Sequence, residues 1–269
     1  MGRNELIAKL EAAGRGAHRY GPDKEQAMQF VEDLFAFLFG YEQESARAAL
    51  EAGYDELHRD LEALLPLQRQ EEASHFFREL PALYDALLED AAAILNSDPA
   101  ARSIEEVLST YPGFYATYVH RIAHQLWRQE CWLLARFFAE QAHSRTGIDI
   151  HPAAQIGPAL AIDHGTGIVI GETTVIGSRV KVYQGVTLGA LQVSKEAAQA
   201  RRHPTIGDDV VIYAGATILG GDTVVGDGSI IGGNVWLTYS VPPNSVVYHK
   251  SEVHIKTQDP FPEPINFII

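Results

Sequence analysis

The sequence predicts an α+β protein, in which an N-terminal α-helical domain (residues 1–146) precedes a left-handed parallel β-helix of hexapeptide repeats (147–247). Three observations support this fold class. Helix-forming residues dominate the first half, with apolar residues three and four positions apart. In the second half aliphatic residues recur every six positions, often followed by glycine. The remaining segment, 248–269, is rich in proline and is expected to form an extended tail.

The N-terminal half has the spacing of amphipathic helices, as in the series Met28, Val31, Leu34, Phe35 and Leu38. Two long helices rich in aromatic residues are predicted between Phe114 and Ala142. Breaks between helices are expected where glycine, proline and turn-forming residues occur. These places are 20–22, Gly40, Gly53, 96–99 and 111–113.

The repeat of six residues distinguishes the second half. Neither a helix nor an alternating strand produces this spacing, whereas a triangular solenoid does. Each hexad then forms one flat side, its aliphatic side chain points into the prism, and the corners take residues that tolerate unusual backbone angles. An ordinary sheet with coincidental spacing is the alternative. The aliphatic positions are Ile150, Ile156, Ile162, Ile168, Ile170, Ile176, Val182, Leu188, Ile206, Ile212, Ile218, Val225, Ile231 and Leu237.

Two features interrupt the repeat. The segment 190–204 is too long for a corner and too polar for the prism interior, so it is expected to protrude as a loop. Binding residues concentrate in such loops, although an insertion without a function is the alternative. Pro242-Pro243 is expected to end the solenoid, because proline cannot donate a hydrogen bond to the next coil.

Charge and composition exclude several classes of function. The formal net charge of −14 argues against binding to nucleic acids or to anionic membranes. No apolar run is long enough to span a membrane, and no signal peptide is recognised at the N-terminus. The single cysteine, Cys131, excludes an intrachain disulfide and a zinc site of several cysteines, and it is expected to be a packing residue. We therefore expect a cytoplasmic protein.

The candidate catalytic group is His164, which lies beside Asp163 and before two glycine corners. Asp149 precedes His164 by 15 residues. Because a coil contains about 18 residues, both side chains are expected near one edge on neighbouring coils. A carboxylate that accepts a hydrogen bond from one imidazole nitrogen leaves the other nitrogen free to act as a base. The alternative is a histidine that only satisfies a polar corner.

The order and spacing of several motifs closely resemble the serine O-acetyltransferase family over roughly Asp98–Val247. The resemblance implies transfer of an acetyl group from acetyl-CoA to the hydroxyl of L-serine. The products would be O-acetylserine and CoA, in the first step of cysteine biosynthesis, by direct attack and without a metal. The motifs are Ser97–Ala100, Tyr118–Trp127, Asp149–Gly157, Asp163–Thr173, Gln184–Gly189 and Arg202–Pro204.

The resemblance also implies roles for single residues. His164 would be the general base, oriented by Asp149. Asp98 and Asp163 would receive the serine ammonium, Arg202 and His203 would bind its carboxylate, and Glu172 would lie near the base. Acetyl-CoA would bind along the solenoid flank, around Ala190, Leu191, Ala214 and Gly233. The loop departs from the usual short glycine-rich stretch, because Ala190-Leu191 leads into a longer segment with Lys195 and Glu196.

Assembly and partners follow from the same resemblance. It implies a homotrimer or a dimer of trimers joined through the helical domains, with active sites between adjacent solenoids. Flat apolar sides of a solenoid independently favour trimerisation. The C-terminal Ile269 would enter the active site of O-acetylserine sulfhydrylase. An ordinary frayed terminus is the alternative for this tail.

Three other functions are compatible with this fold. The first is acetyl transfer to another hydroxyl acceptor, such as homoserine or a sugar. The second is a metal-dependent hydratase of the γ-carbonic-anhydrase kind, which needs three histidines, two of them close in sequence. His151, His164 and His203 lack that close pair. The third is a non-catalytic scaffold that only regulates the sulfhydrylase.

Overall fold

The computed structural model describes residues 2–15, 22–40, 46–191 and 200–250. The C-terminal tail with Ile269, the loop positions Lys195 and Glu196, and the predicted break at 20–21 lie outside these ranges. The helices of the described part are α1 (Gly2–Arg15), α2 (Lys24–Phe39), α3 (Arg47–Leu64), α4 (Glu71–Ser97), α5 (Ile104–Thr110), α6 (Pro112–Arg128) and α7 (Trp132–Thr146), with a short 3-10 helix at Leu67–Arg69. None of them is both long and apolar enough to cross a membrane.

Local sequence signals explain several helix ends. Helix α2 begins after Asp23, whose carboxylate accepts hydrogen bonds from the first two turns' free N–H groups. Ser103 caps α5 in the same way. The expected break at Gly53 is wrong, because Gly53 lies inside α3. A side chain there would lie 3.3 Å from the ring of Phe37, so glycine allows α3 to approach α2 closely.

The second half consists of short strands of two or three residues. They are β1 (Asp149–Ile150), β2 (Gln155–Ile156), β3 (Ala161–Asp163), β4 (Val169–Ile170), β5 (Val175–Ile176), β6 (Lys181–Tyr183), β7 (Thr187–Gly189), β8 (Thr205–Ile206), β9 (Val211–Ile212), β10 (Thr217–Leu219), β11 (Val224–Val225), β12 (Ile230–Ile231), β13 (Trp236–Leu237) and β14 (Val246–Val247). Every third strand pairs in parallel, which gives three sheets: β1-β4-β7-β10-β13, β2-β5-β8-β11 and β3-β6-β9-β12-β14.

The predicted aliphatic positions form the core of this prism. In the first sheet Ile150 pairs with Ile170, which pairs with Leu188, and Leu188 pairs with Ile218. All the aliphatic positions are buried in one cluster except Ile156, which is partly buried against it. The predicted fold class, a helical region followed by a parallel β-helix, is confirmed.

Two edges of the prism carry the predicted site residues. The His164 edge joins the third sheet to the first and contains 164–168, 184–186, 214–216 and 233–235. The Arg202 edge joins the first sheet to the second and contains 171–174, 190–204 and 220–223. One side of the prism has about six residues, so the edges lie on the order of 15–20 Å apart.

The long insertion leaves the ladder intact. Val175 pairs with Thr205 across the 190–204 segment, so β5 and β8 stack as if the loop were absent. The expectation that Pro242-Pro243 ends the solenoid is wrong, because β14 follows and pairs with β12. The prolines are tolerated at a corner, where Pro242 contributes its carbonyl oxygen to the hydroxyls of Ser229 and Ser245.

A buried ion pair fastens the helices to the first coil. Arg121 on α6 donates two hydrogen bonds to the carboxylate of Asp90 on α4, which is fully buried. The same guanidinium donates to the carbonyls of Ile156 and Gly157 at 2.6 and 2.7 Å. Asp90 also accepts from the N–H of Leu160 at 2.9 Å. The helical region is therefore fixed against the coil that carries His164.

Candidate active site

His164 occupies the corner that follows β3. Its φ of +57° lies in the left-handed region, which histidine adopts more readily than most residues. The next residue, Gly165, has a φ of +86°, and a side chain there would lie 2.5 Å from Ile148. The imidazole is 73% exposed, and its Nε2 is 3.8 Å from Oδ1 of Asp163, beyond hydrogen-bonding distance. The ring points away from the prism interior and is accessible to a reactant.

Lys181 joins the acidic residue of this corner to the helical region. Its Nζ lies 3.2 Å from Oδ2 of Asp163 and donates a 2.7 Å hydrogen bond to the carbonyl of Ser97. Asp163 and Lys181 have side chains that are only 14% and 13% exposed. The end of α4 is therefore held over the corner, which places Asp98 beside His164.

Asp98 is prepared to remain ionised. Its carboxylate accepts a 2.6 Å hydrogen bond from the hydroxyl of Tyr111 and a 2.8 Å bond from the N–H of Ala100. These bonds, in that order, lower the pKa of Asp98, and the nearby charges of Lys181 and His164 act in the same direction. The same bond raises the pKa of Tyr111 to about 12. Two carboxylates, Asp98 and Asp163, thus lie at one corner and could receive an ammonium group.

Asp149 lies on the same edge, one coil below His164. Its Cα partner in the ladder is Val169, and its N–H donates to the carbonyl of Ile168. Within the described residues of the chain, its half-buried carboxylate has no hydrogen bond or ion pair, to His164 or to any other group. The shared edge agrees with the sequence, and the pairing of Asp149 with His164 stays a prediction.

The Arg202 edge holds the other predicted polar residues. Arg202 forms an ion pair with Glu172, which lies one coil below it. His203 is only 7% exposed, and its Nδ1 accepts a 3.0 Å hydrogen bond from the N–H of Thr173. Burial and then the charge of Arg202 lower the pKa of His203. His203 is therefore a neutral imidazole with its proton on Nε2.

The proposed acetyl-CoA positions divide between the two edges. On the His164 edge, the carbonyl of Ala214 accepts from Asn234 at 2.9 Å, and a side chain at Gly233 would lie 3.2 Å from that carbonyl. Both positions are further coils of the same edge as His164. Ala190 and Leu191 follow β7 on the Arg202 edge, and Leu191 is 51% exposed.

The remaining histidine and the cysteine belong to the packing of the molecule. His151 accepts a hydrogen bond from the N–H of Ala153 and packs against the ring of Trp127. Burial, and then the charge of Arg136, lower the pKa of His151 to about 4. Cys131 is buried beside the helical core. In the part of the chain that the structure describes, no three histidine, cysteine or carboxylate side chains are grouped as metal ligands.

Sequence reasoning assigned no role to Lys181 or Thr173, although both touch predicted site residues. Lys181 follows Asp163 by 18 residues, and Thr173 precedes His203 by 30 residues. These are the offsets of the neighbouring strand pairs, since Ala161 pairs with Lys181 and Val175 with Thr205. The ladder register was the signal that could have identified them.

Comparison with known proteins gives a consistent result, although no protein-family model matches the chain. The plasmid serine acetyltransferase of Synechococcus elongatus is 53% identical over 190 residues, which cover 69% of this chain and 59% of that relative. This chain thus spans less than two thirds of that relative's length. The serine acetyltransferase of Bacillus subtilis is 48% identical over 161 residues, which cover 60% of this chain and 72% of that protein.

A solved structure extends the similarity to the fold. Serine acetyltransferase 1 of Entamoeba histolytica, crystallised in complex with L-cysteine, superposes with a TM-score of 0.75 at 34% identity. The match covers 85% of this chain and 87% of the other. It includes the helices as well as the solenoid. The chain therefore belongs to the serine acetyltransferase family.

Proposed function

We propose that the chain catalyses acetyl transfer from acetyl-CoA to the hydroxyl of L-serine. The observation that supports it best is the composition of the corner at His164. An accessible imidazole lies beside Asp98 and Asp163, two carboxylates suited to an ammonium group. An amino acid that carries a hydroxyl satisfies both features, because its ammonium is held while its oxygen faces the base. The relatives' names support the same substrate.

The reaction proceeds by direct attack. The imidazole of His164 takes the proton from the serine hydroxyl while the oxygen attacks the carbonyl carbon of the thioester. The carbon–sulfur bond then breaks, and the protonated imidazole returns the proton to the departing CoA thiolate. General-base catalysis of this kind is worth roughly 10²–10⁴ in rate. Asp149 orients the ring, as the family resemblance implies.

The serine carboxylate binds to Arg202 and His203. A guanidinium recognises a carboxylate with two parallel N–H donors, and a neutral imidazole adds the Nε2–H donor. These groups lie on a different edge of the prism from His164, so a complete site needs the His164 edge of one chain and the Arg202 edge of another. We therefore propose a homotrimer, or a dimer of trimers, with sites between adjacent solenoids.

Acetyl-CoA lies along the groove between two such edges. Ala214 and Gly233 offer backbone groups on coils above His164, and Ala190 and Leu191 of the facing edge close the groove. No metal is required for this chemistry. We place the activity in the cytoplasm, as the first step of cysteine biosynthesis. Docking of Ile269 into O-acetylserine sulfhydrylase is a further proposal, on a segment outside the described residues.

Acceptor specificity tests the proposal. The full chain, supplied with acetyl-CoA, is assayed by thiol release with L-serine, L-homoserine and simple sugars. We expect kcat/KM to be highest for L-serine, and a much better alternative acceptor would overturn the assignment. An inactive wild type that still binds the sulfhydrylase would instead favour the scaffold. Metal analysis of the purified protein tests the hydratase. Deletion of Ile269 should weaken binding to the sulfhydrylase, and unchanged binding would reject the docking role.

A further inference from the structure

Thr173 is bonded to both residues that are proposed to bind the serine carboxylate. Its Oγ1 accepts hydrogen bonds from the backbone N–H groups of Arg202 and His203, at 2.9 and 3.0 Å. The same oxygen lies 2.9 Å from Nδ1 of His203. One hydroxyl thus fixes the backbone of the loop's final residues and the ring of the histidine.

The bonds also determine which proton the imidazole carries. The backbone N–H of Thr173 can only donate, and it points at Nδ1 of His203, so Nδ1 has no proton. The hydroxyl then donates to Nδ1 while it accepts from the two backbone N–H groups. Nε2 is left as the protonated nitrogen. A carboxylate ligand requires a donor at this position, and an unprotonated Nε2 would repel it.

Gly171 completes the support of the ring. A Cβ atom at Gly171 would lie 2.1 Å from Nε2 and Cδ2 of His203, so any side chain there would displace the imidazole. Thr173 and Gly171 both lie on the coil below His203, between β4 and β5. The histidine is therefore held by bonds on one side and by the space above a glycine on the other.

We propose that Thr173 is a positioning residue, which sets the backbone of Arg202-His203 and the tautomer of His203 for recognition of the serine carboxylate. This inference rests on the proposed function, and it adds a residue that acts on substrate affinity and does not touch the reacting atoms. Glu172 assists by holding the Arg202 guanidinium at the same end of the loop.

The next residue along the chain offers a matched control. Thr174 is fully buried, and its hydroxyl has no hydrogen-bond partner among the described residues. Replacing either threonine by valine removes one hydroxyl and keeps the shape of the side chain. Thr173→Val removes a bonded hydroxyl, whereas Thr174→Val removes an unbonded one. A general effect of valine on the coil would appear in both variants.

Steady-state kinetics of Thr173→Val, Thr173→Ser and Thr174→Val test the proposal in the full-length enzyme. We expect Thr173→Val to raise the KM for L-serine about tenfold or more, because hydrogen bonds to the loop are lost. The KM for acetyl-CoA, and kcat at saturating serine, should stay within about twofold, which is the pattern of lost ground-state binding. Thr173→Ser should keep the wild-type KM, and so should Thr174→Val.

Two results would overturn the proposal. One is an unchanged KM for L-serine in Thr173→Val. The other is an equal loss for both substrates together with a lower melting temperature, which would indicate a structural role alone. A crystal structure of Thr173→Val provides a readout without activity, and we expect Arg202-His203 to be displaced there. If the wild type fails to acetylate serine, the proposed function fails, while an undisturbed Arg202-His203 in that crystal would reject the positioning role separately.

Discussion

His164 and His203 lie on two edges of the same prism in opposite environments. His164 follows a strand in the left-handed conformation, and 73% of its side chain is exposed with no hydrogen bond to hold the ring. His203 is 7% exposed, and its Nδ1 is occupied by the N–H and hydroxyl of Thr173. The free ring can gain and lose a proton, whereas the held ring keeps a fixed donor.

This difference indicates how the solenoid separates two tasks. A corner of two or three residues can expose a side chain fully, because the strands on either side are fixed by the ladder. The long insertion ends on a coil where a threonine and a glycine hold its final residues. Proton transfer and carboxylate recognition are thus assigned to separate edges, which only a second copy of the chain can bring together.

Replacing the two histidines separately is expected to give the largest effect. His164→Ala should reduce kcat by about 10²–10⁴ with little change in the KM for serine, because the general base is removed. His203→Gln should raise the KM for serine and leave a measurable kcat. Initial rates over a range of serine concentrations distinguish the two patterns. Full activity of His164→Ala would remove His164 from the mechanism.

Mixed assemblies test the separation of the edges directly. His164→Ala and Arg202→Ala chains should each have little activity. If a site combines the His164 edge of one chain with the Arg202 edge of the next, random co-assembly restores both groups in about a quarter of the sites. Co-expression of the two variants with different affinity tags allows the mixed oligomers to be purified and assayed. Activity no higher than that of the single variants would place both edges of a site on one chain.

A conservative change on the Arg202 edge should have a smaller effect. Arg202→Lys keeps the positive charge and loses the planar pair of donors, so we expect the KM for L-serine to rise about tenfold. The KM for acetyl-CoA should not change. Lys181→Arg, on the other edge, is the matched control for exchanging the two cations. An Arg202→Lys enzyme with the wild-type KM for serine would indicate that charge alone binds the carboxylate.

The sequence predicted the solenoid well because its signal is repeated. Each aliphatic residue of the six-residue period reports on the same interior, and a coincidence at one position, such as the partly exposed Ile156, does not alter the pattern. Single positions were less predictable. Gly53 was expected to break a helix, but packing against Phe37 determined its place inside α3. Pro242-Pro243 was expected to stop the ladder and instead occupies a corner.

The site could be predicted in its members and less well in its arrangement. Motif spacing placed Asp163 and His164 at one corner, and the structure agrees. The contacts of Lys181 and Thr173 were missed, because they depend on which residues stack across neighbouring coils. The insertion changes that offset from 18 to 30 residues between the two edges' pairs, so the register must be known before such partners can be named.

Acid should reveal the histidines that the fold holds neutral, of which His151 is the clearest. Burial lowers the pKa of His151 to about 4, below the value of about 6.5 for an unfolded chain. Between these values the unfolded chain binds a proton that the folded chain does not, so the free energy of unfolding decreases as the pH falls. The contribution is complete above about pH 6.5 and is lost towards pH 4. His203 contributes with the same sign.

His151→Asn isolates this contribution, since the amide oxygen can accept from the N–H of Ala153 as Nδ1 does. Denaturant unfolding at pH 8 measures the effect of the change on packing, because both imidazole states are neutral there. At pH 5 we expect the wild type to lose about 1–2 kcal/mol more than the variant, after allowance for the partly exposed ring. Protein concentration is held constant, because subunit association also contributes to the measured stability. An identical loss in both proteins would mean that burial of His151 does not oppose its protonation, and the contrast between held and free imidazoles would then rest on hydrogen bonds alone.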